Sequence, residues 1–177
     1  MSNAFAPMLV LAALQDPASP EYEWWSKFKA GSSVSVEVFV AGGAQAQDRL
    51  TYTLLETGDK ELVLEMKGRQ WNGAKYNELK GRKVTVRKGA AMPAPRRSDY
   101  KTKESEEEIE VCKKKLRCRV IEETWKEEHA HHFGVSVTDV KVRTWISPDV
   151  PGGVVRWERT HGGQENVRRV VTGWEVK

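Results

Sequence analysis

Between Ser33 and Met66 the chain alternates apolar and polar residues with a period of two. SVSVEVFV sets Val34, Val36, Val38 and Val40 on one side, RLTYTLLET does the same with Leu50, Tyr52 and Leu54, and KELVLEM with Leu62, Leu64 and Met66. Successive side chains of a strand point to opposite faces, so this pattern predicts three strands with one apolar and one wet face. The turn-forming stretches GGAQAQ and Gly58-Asp59 separate them, as in an antiparallel meander.

Just upstream the spacing is three to four. In ASPEYEWWSKFKAG, Tyr22, Trp25 and Phe28 or Lys29 share a face. Ser19 reads as an N-cap, Pro20 as the first helical residue and Gly31 as the stop, which predicts one short helix. No later segment keeps a helical period.

Downstream the strand signal returns in pieces. Asn72-Gly73 predicts a tight turn, and Val84 and Val86 another strand. The polar, proline-containing AAMPAPRRSDYKTKESEEE reads as a loop. EEEIEVC-KKK-LRCRVIEE predicts a hairpin with its loop at Lys113–Lys115, which sets Cys118 beside Val111 or Glu110. TWKEEHAHHFG reads as a connection. VTDVKVRTWIS puts Val140, Val142, Thr144 and Ile146 on one face and Trp145 on the other, with Lys141 and Arg143. VVRWERT, a Gly162-Gly163 turn and NVRRVVTGWEVK complete the chain.

Within RTWISPDVPGGVVRW, Pro148 and Pro151 have no N–H for a ladder, so pairing stops between them. Gly152 and Gly153 permit positive φ as the chain returns. The stretch is a corner between two strands. The whole pattern predicts a mainly β protein: a curved antiparallel sheet or unclosed half-barrel of about nine or ten strands, with a short N-terminal helix.

Composition narrows the function classes. The chain has 177 residues, seven of them tryptophan, and a formal charge of +4 from 29 basic and 25 acidic residues. That length suits one domain with its own core. MSNA reads as a cloning remnant, and residues 1–15 as that remnant plus the tail of an export signal, with the apolar run Met8–Leu14 as its end. Residues 16–177 then form a single antiparallel β domain, exported to a periplasmic or extracellular compartment. The run is too short to span a bilayer. Basic stretches such as KKKLRCR alternate with acidic ones and match no nucleic-acid motif, so nucleic acid is not an expected partner.

Candidate chemistry is sparse. His129, His131 and His132 offer imidazoles for a metal, with Glu127 or Glu128 as a carboxylate, but in no recognised zinc spacing. Solvated turn histidines are the simpler reading. Cys112 and Cys118 would form a disulfide only if their strands brought them opposite. No hydrolase, dinucleotide-binding or zinc-protease motif is present. The expectation is therefore a protein that is not an enzyme and needs no cofactor.

A strand with Trp145-Ile146-Ser147, a proline turn, VPGGVV and a strand reading V-x-x-E, after VCKKKLRCRVIE, resembles exported bacterial β-sheet proteins of the lipoprotein-localization factor (LolA/LolB-like) type. The resemblance covers roughly Glu106 to Glu158. It implies an unclosed barrel wrapping a helix, whose concave face shelters an acyl chain or other apolar ligand. On that reading Tyr22, Trp25, Leu54, Met66 and Trp145 line the ligand site. The alternative is a cell-envelope protein-interaction module with a filled core and no small ligand. A metal-dependent enzyme built on His129–His132 is third.

Overall fold

The computed structural model describes residues 21–89, 98–131 and 134–177, with the side chains of Glu21, 129–131 and Gly134 left aside. Among these residues lie one helix, α1 (Glu21–Trp25), and nine strands: β1 (Ser33–Val40), β2 (Asp48–Thr57), β3 (Glu61–Trp71), β4 (Tyr76–Arg87), β5 (Ser98–Val111), β6 (Lys114–His131), β7 (Gly134–Ile146), β8 (Val154–His161) and β9 (Gln164–Glu175). All nine join one antiparallel sheet in the order β4-β3-β2-β1-β9-β8-β7-β6-β5.

The chain builds this sheet outward from β1 to β4, then restarts at the far edge and works back until β9 pairs with β1. Val34 opposes Trp174 and Val38 opposes Arg169 across that junction. The first and last strands thus meet in the middle, and β4 and β5 are the edges.

Geometry forces the sheet to coil. Flat, nine strands would hold β4 and β5 about 38 Å apart across the strands. Because β4 and β5 are the first and ninth of alternately directed strands, they run the same way, and the end of β4 and the start of β5 would be roughly as far apart again along them. The connection 88–97 spans at most about 40 Å when fully extended. Native strand twist and local bulges supply the curvature. Register shifts occur between Ser35 and Val36, Leu54 and Glu56, Met66 and Gly68, and Trp145 and Ile146.

The core is the meander face expected from the alternation. Val34, Val36, Leu50, Tyr52, Leu54, Leu62, Leu64 and Met66 pack with α1, Val150 of the β7–β8 corner, Val155 and Val171. Val111, Leu116, Cys118, Val120 and Trp145 of the far strands join the same cluster. Trp125, Val140 and Val142, of opposite parity on β6 and β7, form a second cluster with Trp157. The β6–β7 pair is thus buried on one face near its lower end and on the other higher up.

Several local expectations are corrected. The helix is shorter than read: it stops at Trp25 and continues as turns to Gly31, at φ 90°. Ser19 and Pro20 lie outside the described residues, as do residues 1–15. The hairpin between β5 and β6 turns at Cys112 and Lys113, not at Lys113–Lys115, both with positive φ. Val111 opposes Lys114, which sets Cys118 opposite Glu107 rather than Val111 or Glu110. The polar loop ends sooner, because Ser98 onward is β5, and the stretch Thr124–His131 is the upper part of β6 rather than a connection. The turn after β3 is longer than Asn72-Gly73 alone: Asn72 Oδ1 accepts the N–H groups of Ala74 and Lys75.

Candidate functional site

The β7–β8 corner is built as its residues dictate. Ser147 N–H donates to the Gly153 carbonyl at 2.9 Å and Gly153 N–H to the Val150 carbonyl at 2.8 Å, so the loop closes on itself. Gly152 and Gly153 hold φ of 80° and 70°. Val150, Pro151 and Ser147 are fully buried beneath it. The two glycines leave room for the helix: a Cβ at Gly152 would lie 2.8 Å from Trp25 Nε1, and one at Gly153 2.6 Å from the Trp24 ring. The Tyr22 hydroxyl donates to the Gly58 carbonyl at 2.6 Å and ties α1 to the β2–β3 turn. The helix therefore bridges from that turn to the β7–β8 corner, over one end of the sheet's apolar face.

The five residues expected to line an apolar ligand site do come together. Tyr22, Trp25, Leu54, Met66 and Trp145 are 8%, 4%, 0%, 6% and 3% exposed and belong to one cluster. In this structure they contact the chain itself.

Trp145 is held by polar groups that sequence reasoning missed. Its indole N–H donates to Glu107 at 2.8 Å, and the same carboxylate accepts Arg143 at 2.6 Å. The guanidinium carbons of Arg143 and Arg156 lie 4.6 and 5.0 Å from the ring centroid. Such cation–π contacts strengthen as the site loses water. The signal was the period-two run of Arg143 and Trp145 against Arg156. Glu107, 38 residues away, gave no local sign.

A second polar group lies on the Trp125 face. Glu127 accepts both the Trp125 indole at 3.0 Å and Arg159 at 2.8 and 2.9 Å, with His161 at 3.9 Å. Tyr100 donates to the buried Glu123. On β2, Asp48 is 3% exposed and its Oδ1 has no hydrogen-bond partner. Burial pushes its carboxyl above the ordinary aspartate value, and a hydrogen bond from Gln70 only partly offsets this.

Cys112 and Cys118 are free, one exposed and one buried. Burial pushes the Cys118 thiol up, and the nearby Glu107 and Asp149 charges add to the effect. His129 and His131 lie on the backbone of β6, but their side chains and His132 fall outside what is described. Among the described residues no group of three metal-ligating side chains converges. No helix among them is long and apolar enough to cross a membrane.

No protein-family model matches the chain, and no curated protein matches it. The described residues form an open, coiled antiparallel sheet with a short helix and a corner loop at one end. A solved structure of similar fold is a "putative lipoprotein" from Parabacteroides distasonis. It superposes with a TM-score of 0.54 at 11% identity, covering 83% of this chain and 96% of that one. At that identity the likeness concerns the fold alone.

Proposed function

We propose that this protein is an exported, non-enzymatic interaction module of the cell envelope, with a filled core and no small apolar ligand. One observation carries the choice. The residues best suited to grip an acyl chain are spent on the protein's own packing, with Trp25 seated on Gly152 and Trp145 clamped by Glu107, Arg143 and Arg156. Two further facts support export: the apolar run Met8–Leu14, and a fold neighbour described as a lipoprotein.

A second reading keeps the apolar carrier. Helix α1 spans five described residues, and its Tyr22 and Trp25 share one apolar cluster with Leu54 and Met66. Lifting it would uncover an apolar face suited to an acyl chain. Native mass spectrometry before and after organic extraction separates the two. A lipid-sized mass lost on extraction favours the carrier. An unchanged protein mass, with no uptake of an added fluorescent fatty acid, supports the interaction module.

A further inference from the structure

An acid and a base stand on either side of β1 without pairing. Val38 opposes Asp48 of β2 on one side and Arg169 of β9 on the other. Directly opposed residues of neighbouring strands share a face, so Asp48, Val38 and Arg169 form one row on the face that carries the core. Two strand spacings separate the Cα atoms of Asp48 and Arg169, about 10 Å. An extended arginine and an aspartate close that span between them. Neither group is satisfied where it stands. Asp48 is 3% exposed, is bonded to Gln70 and leaves Oδ1 without a partner. Arg169 is half-buried, its Nε has no hydrogen-bond partner, and it forms no ion pair among the described residues. Its guanidinium carbon lies 5.7 Å from the Tyr52 ring centroid, near the outer limit of a cation–π contact.

The neighbouring charges are engaged elsewhere. On one side of the row stand Gly68, Leu50, Val36 and Val171, none of them ionisable. On the other side, Arg159 is held by Glu127, and the Tyr100 hydroxyl donates to Glu123. Along the row itself Gln70 and Asn77 lie beyond Asp48, and the next ionisable group past Arg169 is Glu104, on β5, which pairs with Arg119. On β4, Arg82 opposes Met66 and donates to its sulfur at 3.8 Å. An enclosed carboxyl with no cation beside it favours the neutral form, so the arrangement seen is that of a protonated Asp48.

We infer that Asp48 and Arg169 form a latent ion pair, which closes across Val38 when Asp48 loses its proton. With the proton on, Asp48 stays with Gln70 and Arg169 stays on Tyr52. With it off, the bare carboxylate draws the guanidinium over Val38, because an uncompensated buried charge is costly and an arginine is within reach. Asp48 belongs to the meander that begins the sheet and Arg169 to the strand that ends the chain. The closed pair therefore ties the two halves of the sheet together where β1 meets β9, and makes that junction stiffer as pH rises. This device goes beyond the interaction-module reading and does not rest on it.

The test follows the full chain by NMR from about pH 3 to pH 8, reading the Asp48 carboxyl carbon and the Arg169 Nε–H. Both signals should move with one midpoint. Amide exchange in β1 and β9, corrected for its intrinsic pH dependence, should slow above that midpoint. Arg169→Gln should raise the Asp48 midpoint by about one unit or more, and Arg169→Lys, which keeps the charge, by less. Asp48→Asn should abolish the transition at Arg169. An Arg169 signal that stays flat while Asp48 titrates overturns the pair, and so does an Asp48 midpoint unchanged by Arg169→Gln. A carboxyl that does not titrate in this range overturns it as well. The joint titration of the parent needs no substitution, so it decides the matter even where a variant fails to fold.

Discussion

The indole of Trp25 lies against Gly152, so close that a Cβ at that glycine would sit 2.8 Å from Nε1. Helix α1 and the β7–β8 corner are therefore one packing unit, although 127 positions separate the two residues in sequence.

Gly152→Ala should destabilise the fold by about 1–3 kcal/mol, because it adds a clash to a positive-φ strain. Gly163→Ala is the matched control: φ is 79° there, but nothing lies within 4 Å of the added methyl. Its cost should be about 1 kcal/mol. Urea unfolding of both variants measures the difference. Equal midpoints would mean that the helix does not seat on the corner.

Removing the carboxylate that holds Trp145 should be costly. Glu107→Ala strands the buried Trp145 indole and takes from Arg143 the nearer of its two carboxylates, leaving Glu122 at 3.5 Å, and a loss of about 1–3 kcal/mol is expected. Glu107→Gln keeps one acceptor and should lose less. A double-mutant cycle with Trp145→Phe should show coupling between the two sites, and additivity within about 0.5 kcal/mol would refute it.

Asp48 makes stability depend on pH. Its folded-state pKa is raised by burial, so the native state holds its proton more tightly than the unfolded chain does. Its contribution is fully present below the unfolded aspartate value and is lost as pH rises through the raised folded value. Asp48→Asn should therefore unfold at higher urea than the parent at pH 7.5, with the gap closing near pH 3. A gap that grows toward acid would reverse the sign.

The two thiols should react very differently. Cys112 sits exposed at the tip of its hairpin, while Cys118 is buried and its thiol is pushed up by burial and nearby acids. Only the thiolate attacks. A chromogenic disulfide reagent at pH 8 should label one thiol per native chain at once and the second only on unfolding. Two fast thiols would contradict the burial of Cys118.

Much of the first half was legible because β1, β2 and β3 each bury one face. Val34, Leu50 and Leu62 begin stretches whose burial alternates residue by residue. The first part of β5, from Ser98 to Ser105, was read as loop for the opposite reason. From Ser98 to Glu106 both faces are exposed, so no apolar period marks it, and cross-strand ion pairs with β6 accompany its pairing. The hairpin turn was misplaced because Cys112 and Lys113 adopt positive φ without glycine, a conformation that turn-residue preferences do not announce.

The candidate lining residues divide in the same way. Tyr22 and Trp25 were readable as one helix face and Leu54 and Met66 as apolar strand faces from local spacing, while the packing of all four together is tertiary. Trp145 was readable only as facing away from Val140 and Val142.

Sequence alone determined the class of fold, the corner at Pro148–Gly153 and the absence of any recognised catalytic motif, because those depend on local periodicity and on what proline and glycine permit. Tertiary structure decided the rest. It paired β9 with β1, set Glu107 beneath Trp145 and Trp25 on Gly152, and left β4 and β5 as parallel-running edges. Those features arise from contacts between residues far apart along the chain, where sheet coiling and loop closure, not local pattern, choose the partner.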